Sequence, residues 1–314
     1  IPHWSHYFKF QLNLIYPLFI IIPTYNRANL IGRAIDSIIK QTYTNWEIIV
    51  IDDGSTDTTK VIMDEYLKDS RIKFISYPEN KGVNHARNVG IERATGDVIA
   101  LLDSDDLLLE NALKMAKDFI ETYLDYDIFF FGTMDEKTWK RMFKIPYDGF
   151  SPSYKETMSS KKIRGEFWGV FKSYVFKKYK YFDGLNGFEG VVYLQMFRMY
   201  KLVCSKQVLR IYGNVEQSLT RPIPTKTDKK RWDNIKQGNK IKLSILGDDL
   251  KKYNMRGYEG YTETLAVLGK ASILTGERKN GFKYTLESLI YNPFELRAWR
   301  NLLLLFVQLV GISK

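Results

Sequence analysis

Three uninterrupted apolar runs constrain this chain most: Leu18-Phe19-Ile20-Ile21-Ile22, Ile48-Ile49-Val50-Ile51 and Val98-Ile99-Ala100-Leu101-Leu102. A run without polar alternation reads as a strand buried on both faces. Between the first two, Leu30, Ile31, Ala34, Ile35, Ile38 and Ile39 recur at helical spacing. Val61, Ile62, Tyr66 and Leu67 mark a second helix, Ile72 to Ile75 a shorter strand, and Asn88 to Ala94 a helix ended by Gly96. Strand alternating with helix predicts an α/β domain around a mostly parallel, doubly wound sheet. Such sheets bind ligands beyond the carboxyl ends of their strands. Each long run ends in a polar cluster there: Pro23-Thr24-Tyr25-Asn26-Arg27, Asp52-Asp53-Gly54-Ser55 and Asp103-Ser104-Asp105-Asp106. The three clusters are expected to converge on one edge of the sheet.

The last cluster carries the most chemistry. It packs three carboxylates into four residues, and they repel one another unless something positive binds. A hard divalent cation prefers carboxylate oxygen and often brings phosphate with it. An acidic turn is the other reading, with Asp106 as N-cap of a helix through Leu107-Leu108-Leu109.

Past Asp127 the pattern changes. Ile128 to Phe131 reads as a strand and residues 132–165 as polar loops with weak strands. Phe167 to Phe171 and Val208 to Tyr212 read as strands, Val191 to Tyr200 as a helix. Pro222, Pro224 and the basic run Lys226 to Arg231 form an expected linker, with helix from about Trp232 onward. The division is therefore a lead segment (1–17), an α/β domain (18–221) and a C-terminal helical region (222–314). The lead segment does not read as a signal peptide.

The net charge of +11 favours anionic partners, but no nucleic-acid motif appears, so nucleic acid is not expected. The single cysteine, Cys204, permits no intrachain disulfide, fits a reducing, cytoplasmic compartment and reads as a buried apolar residue. No apolar stretch reaches the ~18 residues of a spanning helix. The apolar run from Leu302 to Val307 reads either as an interfacial anchor, with Arg297, Arg300 and Lys314 at anionic head groups, or as a core helix packed on the domain of residues 18–221.

Several motifs occur in order: Ile20-Ile21-Ile22-Pro23-Thr24-Tyr25-Asn26-Arg27, Gln41-Thr42-Tyr43, Glu47 to Asp57, Asn80-Lys81-Gly82, Ala86-Arg87-Asn88-Val89-Gly90 and Gly96 to Asp106. Over about residues 18 to 215 the chain resembles the inverting, family 2 nucleotide-sugar glycosyltransferases. The resemblance implies that residues 18–221 are a catalytic domain with a GT-A type sheet, built of a Rossmann-like nucleotide-binding half and an acceptor half, followed by a C-terminal helical region. It implies that Pro23, Thr24, Tyr25, Asn26 and Arg27 form the turn holding the nucleoside, with Asp53 on the base and Arg87 near the nucleotide. Asp103, Ser104 and Asp105 correspond to the DxD motif. Asp103 and Asp105 would touch the ribose and hold Mn²⁺ or Mg²⁺ on the diphosphate of a donor, expected to be a UDP-sugar.

Direct inversion needs a general base for the acceptor hydroxyl. Relatives take it from a Glu-Asp pair before a helix; Glu189 matches, but Gly190 stands where Asp is common. An ordinary helix N-terminal Glu is the other reading of Glu189, and Asp183 is the reserve candidate. Relatives often carry a His after the strand matching Leu209 to Tyr212, and here Tyr212-Gly213-Asn214 has none. His3, His6 and His85 form no ligand set. Gly165 to Gly169 matches the acceptor floor, which makes Glu166 and Trp168 candidate acceptor contacts. Trp168 stacks on a sugar face in one reading and fills the core in the other. The acceptor is expected to be a glycan or polyprenyl-linked glycan, with peripheral contact at the inner membrane face. Alternatives are a polyprenyl-phosphate sugar synthase, which needs no carboxylate base, and a binding module that has lost catalysis.

Overall fold

The computed structural model describes residues 17–159, 162–213, 224–253 and 260–309. His3, His6, Asn214, Pro222, Lys314 and nearly all of the lead segment lie outside the described residues. Two compact units emerge. The first is drawn from Ile1–Ser151, Gly165–Lys180 and Tyr200–Asn214, the second from Pro152–Arg164, Tyr181–Met199 and Val215–Lys314.

The first unit begins β1 (Leu18–Thr24), α1 (Ile31–Ile39), β2 (Trp46–Asp52), α2 (Thr59–Tyr66), β3 (Ile72–Ser76), α3 (Val83–Arg93) and β4 (Val98–Leu101). It continues through β5 (Leu107–Leu108), α4 (Ala112–Thr122), β6 (Ile128–Asp135) and, outside the large sheet, β7 (Phe143–Lys144). After the two-residue β8 (Arg164–Gly165), β9 (Phe167–Lys172) and β10 (Leu202–Tyr212) return to that sheet. Its eight strands run in the order β3-β2-β1-β4-β9-β6-β10-β5. Neighbours pair in parallel except β9, antiparallel to β4 and β6, and β5, antiparallel to β10. All seven residues of β1 are buried, as a two-faced strand requires. Its register sets Thr24 beside Asp52 and Ile21 beside Leu101. The carboxyl ends of β1, β2 and β4 therefore lie side by side, and the expected doubly wound, mostly parallel sheet is present.

Three local expectations change. Leu107-Leu108 is a short strand paired with Arg210 and Ile211, so Asp106 caps no helix there; α4 starts at Ala112, after the left-handed Asn111. β6 runs on to Asp135, inside the stretch read as loops, because Thr133, Met134 and Asp135 pair with Arg210, Ile211 and Tyr212. α3 starts at Val83 rather than Asn88, behind Gly82 at φ 96. Cys204 is buried, and burial pushes its thiol up, as expected of an inert core cysteine.

The second unit holds α5 (Tyr154–Ser159), α6 (Glu189–Phe197), α7 (Lys229–Lys252), α8 (Tyr261–Leu274), α9 (Arg278–Tyr291) and α10 (Leu296–Leu309). Met158, Val191, Leu194, Leu246 and Leu250 form a core across α5, α6 and α7. Helix α7 begins inside the expected linker, where the Asp228 carboxylate accepts the Arg231 N–H at 3.2 Å. Helix α8 packs against α7 and α9, and α10 against α8 and α9. Asn301 Nδ2 fixes that last contact by donating to the Ala266 carbonyl at 2.7 Å. No helix among the described residues is long and apolar enough to cross a membrane.

Candidate functional site

The turn after β1 is held from outside. Asn26 sits at φ 52, a conformation its short polar side chain tolerates. Its N–H donates to Ser55 Oγ at 2.8 Å, and its Oδ1 accepts the N–H of Thr56 at 2.8 Å. Asp57 returns the tie by accepting the Ala28 N–H at 3.1 Å. Burial acts against the Asp57 carboxylate, but bonds from Thr59 and Ala28 outweigh it and hold the group below its usual range. Between the two turns Gly54 has φ +76, and a Cβ there would stand 2.8 Å from the Glu79 carbonyl carbon. Thr24 is buried and its hydroxyl has no hydrogen-bond partner among the described residues, whereas Tyr25 is 43% exposed.

Asp53 is buried at the end of β2. Its two carboxylate oxygens accept the N–H groups of Lys81 and Gly82, each at 2.8 Å. That clamp pins the start of α3 and so sets where Arg87, one turn in, points. Arg87 Nη2 donates to Asp103 Oδ1 at 2.8 Å, and Nη1 to Asn84 Oδ1 at 3.3 Å.

Each acid of the 103–106 cluster faces its own arginine. Arg27 Nη2 lies 3.8 Å from Asp105 Oδ2, and Arg210 Nη1 lies 3.2 Å from the buried Asp106 Oδ2. Asp106 Oδ1 also accepts the Gly213 N–H at 2.8 Å. Position 213 must be glycine, since a Cβ would meet the Asp105 carbonyl oxygen at 1.9 Å. Arg210 Nε donates to Thr133 Oγ1 at 3.2 Å, and Nη2 stands 3.7 Å from Glu166.

These contacts sort the three carboxyls. Burial works against Asp103, but the charges of Arg87, Arg210 and Arg27, with the Arg87 hydrogen bond, outweigh it and keep the carboxyl below the usual range. Burial and the charge of Asp103 push Asp105 up, against the pull of Arg27. Burial lifts Asp106 to about 7, with Asp103 and Asp105 adding and Arg210 opposing. Two carboxyls are thus strained as anions, a strain a bound cation relieves. No group of three or more His, Cys, Asp or Glu suited to a metal occurs among the described residues. One or two carboxylates completed by substrate phosphate and water is the open arrangement Mg²⁺ uses, and hard oxygen donors suit Mg²⁺ or Mn²⁺. Asp103 and Asp105 fit such an ion.

The acceptor and base candidates fare differently. Trp168 is fully buried, its Nε1 donates to the Leu101 carbonyl at 3.0 Å, and its ring packs on Phe131. No face is left for a sugar, so Trp168 is a core residue and not an acceptor contact. Glu166 is exposed and reaches Arg210. Glu189 opens α6 behind the left-handed Phe188, half-buried, and Asp183 is exposed; both lie in the second unit. His85 sits edge-on to Tyr77. Sequence reasoning missed Arg210 as a site residue. The signal was an arginine inside the otherwise apolar run Val208 to Tyr212, which needs a buried partner.

The family model described as "Glycosyl transferase family 2" matches residues 19–182. Among curated relatives, the Escherichia coli UDP-Glc:alpha-D-GlcNAc-diphosphoundecaprenol beta-1,3-glucosyltransferase WfgD is 45% identical over 100 residues, covering 32% of this chain and 39% of its own length. The Campylobacter jejuni GalNAc(5)-diNAcBac-PP-undecaprenol beta-1,3-glucosyltransferase is 31% identical over 200 residues, 62% of this chain and 64% of its own length. Across the curated relatives compared, the chain spans from 15% to 64% of their lengths. The solved structure of S. aureus TarS 1–349 in complex with UDP-GlcNAc superposes with a TM-score of 0.62 at 17% identity, over 91% of this chain and 89% of that one. At that identity the likeness is one of fold, and it agrees with the GT-A type sheet read from the motifs.

Proposed function

The chain belongs to glycosyl transferase family 2, and from that premise we propose an inverting, metal-assisted glycosyltransferase that moves a sugar from a UDP-sugar to a hydroxyl of a glycan or lipid-linked glycan. One observation carries the reading: three acids faced by Arg27, Arg87 and Arg210 beside the carboxyl ends of β1, β2 and β4. The names of the E. coli and C. jejuni relatives, both glucosyltransferases acting on undecaprenyl-diphosphate glycans, support a polyprenyl-linked acceptor. The first of those names also supports a UDP-sugar donor.

In this reading the turn from Pro23 to Arg27 holds the nucleoside, locked through Asn26 to Ser55 and Thr56. Asp53 meets the base with lone pairs its two backbone donors leave free. Asp103, Ser104 and Asp105 take the ribose and diphosphate side, with Asp103 and Asp105 holding Mn²⁺ or Mg²⁺. The ion, when bound, offsets the charge that develops on the departing diphosphate. Arg87 and Arg27 orient Asp103 and Asp105 for that contact. Glu189 takes the proton of the acceptor hydroxyl, with Asp183 in reserve, and Glu166 contacts the acceptor. The enzyme works in the cytoplasm, peripheral at the inner membrane face.

The test is a transfer assay with a panel of UDP-sugars and a polyprenyl-diphosphate-linked acceptor. Release of UDP matched by a lengthened acceptor supports the reading. No transfer from any donor, with the protein folded and the metal supplied, overturns it.

A further inference from the structure

Helices α9 and α10 hold apolar side chains in water. On α9, Phe282, Leu286 and Ile290 are exposed, and their spacing of four sets them on one face. On α10, Leu296, Trp299, Leu303 and Phe306 are exposed at alternating spacings of three and four, opposite the inward-packed Ala298, Asn301 and Leu305. The corner between the helices continues the surface: Tyr291 is exposed and Phe294 is 88% exposed. Single exposed apolar residues need no explanation, but a run of this kind marks a surface that meets something.

Charge narrows what it meets. The exposed charged residues on the two helices are all cations: Arg278, Lys279, Lys283 and Arg300. The acids nearby are turned inward. Glu287 is half-buried and accepts the Tyr261 hydroxyl at 2.7 Å, while Glu295 is buried. A second copy would bring cation against cation with no exposed acid on these helices to answer them. An anionic bilayer supplies both requirements, hydrocarbon for the apolar side chains and negative head groups for the basic rim.

We propose that the exposed faces of α9 and α10, with the Phe294 corner, form a binding surface for an anionic lipid bilayer. The sequence alone pointed only to α10; α9 and the absence of an exposed acid come from the structure. The helices lie in the interfacial plane, since neither can span. The proposal deepens the lipid-linked acceptor reading and rests on it for its purpose, though not for its evidence.

The test is sedimentation of the 314-residue chain with vesicles of phosphatidylcholine alone and of phosphatidylcholine mixed with phosphatidylglycerol. No sugar donor or acceptor is present, so failure here leaves the transferase reading standing. The chain is expected to bind the mixed vesicles, and to release as salt rises. The variant Leu303→Glu with Phe306→Glu should weaken binding by about tenfold or more, and Lys279→Gln with Lys283→Gln by several-fold. Both pairs are exposed, and an unchanged far-UV circular dichroism spectrum confirms the fold. Absence of binding to the mixed vesicles, or equal binding by every variant, overturns the proposal. So does a dimer in vesicle-free sedimentation velocity that Leu303→Glu with Phe306→Glu dissociates while vesicle binding is absent.

Discussion

Arg210 Nη1 lies 3.2 Å from Asp106 Oδ2, and both side chains are buried. Among the described residues, neither Arg210 Nη2 nor Asp106 Oδ2 makes a hydrogen bond of good geometry. The pair joins β10 to the last acid of the loop after β4. Removing Asp106 leaves Arg210 as an uncompensated buried charge, which costs about 3–5 kcal/mol, whereas removing Arg210 leaves an Asp106 carboxyl, already lifted to about 7, that takes up a proton instead. Asp106→Leu should lower stability by that amount in urea unfolding, and Arg210→Met by less. Arg210→Met combined with Asp106→Leu should cost less than the two single changes summed, because no lone charge remains. Strict additivity would contradict the pairing.

Trp168 separates a core residue from a sugar contact. Trp168→Phe leaves the Leu101 carbonyl without its donor and a gap beside Phe131. A loss of about 1–3 kcal/mol is expected in thermal or urea unfolding. The KM for acceptor should not move. A raised KM with unchanged stability would restore the stacking role.

Glu277 predicts the acid limb of stability. Its carboxyl is held at about 2, from a usual 4.5, first by the Lys236 ammonium and then by Asn280, against slight burial. Lys236 Nζ lies 2.7 Å from Glu277 Oε1 and 2.8 Å from Asp233. A depressed folded pKa adds stability that is complete above about 4.5 and lost as pH falls toward 2. Glu277→Gln should therefore flatten the pH dependence of the urea midpoint within that window and change its slope little above it. The pair is partly exposed, so the effect is modest and shrinks with salt.

Glu189 divides the transferase from a phosphate-accepting synthase. Glu189→Gln keeps the shape of the side chain and removes its basicity. A hydroxyl acceptor requires that base, so kcat should fall by about 10²–10⁴ with UDP affinity unchanged. Unchanged turnover would favour a synthase.

How much of this was legible in the sequence depended on whether the signal was local. β1, β2 and β4 read cleanly because both faces are buried and no polar residue interrupts them. The polar clusters at their ends followed from parallel topology, and the register of Thr24 beside Asp52 meets that expectation. Leu107-Leu108 misled because a short apolar run after an acid fits a capped helix as well as a strand. Only pairing with Arg210 and Ile211, about a hundred residues on, decides it. Trp168 was ambiguous for the same reason, since burial of an aromatic is decided by distant neighbours. The clamp of Asp53 on Lys81 and Gly82 was invisible because it joins separate loops. The apolar face of α9 was hidden because the spacing of Phe282, Leu286 and Ile290 fits a core face as well as an exposed one.

In the proposed function the acids after β4 receive a metal-bound nucleoside diphosphate. Calorimetric titration with UDP and with GDP, each with and without Mn²⁺, tests it most directly on the wild-type chain and on Asp105→Ala. UDP is expected to bind only with Mn²⁺ present, and the binding is expected to disappear in Asp105→Ala while the variant stays folded. Binding of neither nucleotide, or UDP binding indifferent to both Mn²⁺ and Asp105, would contradict it.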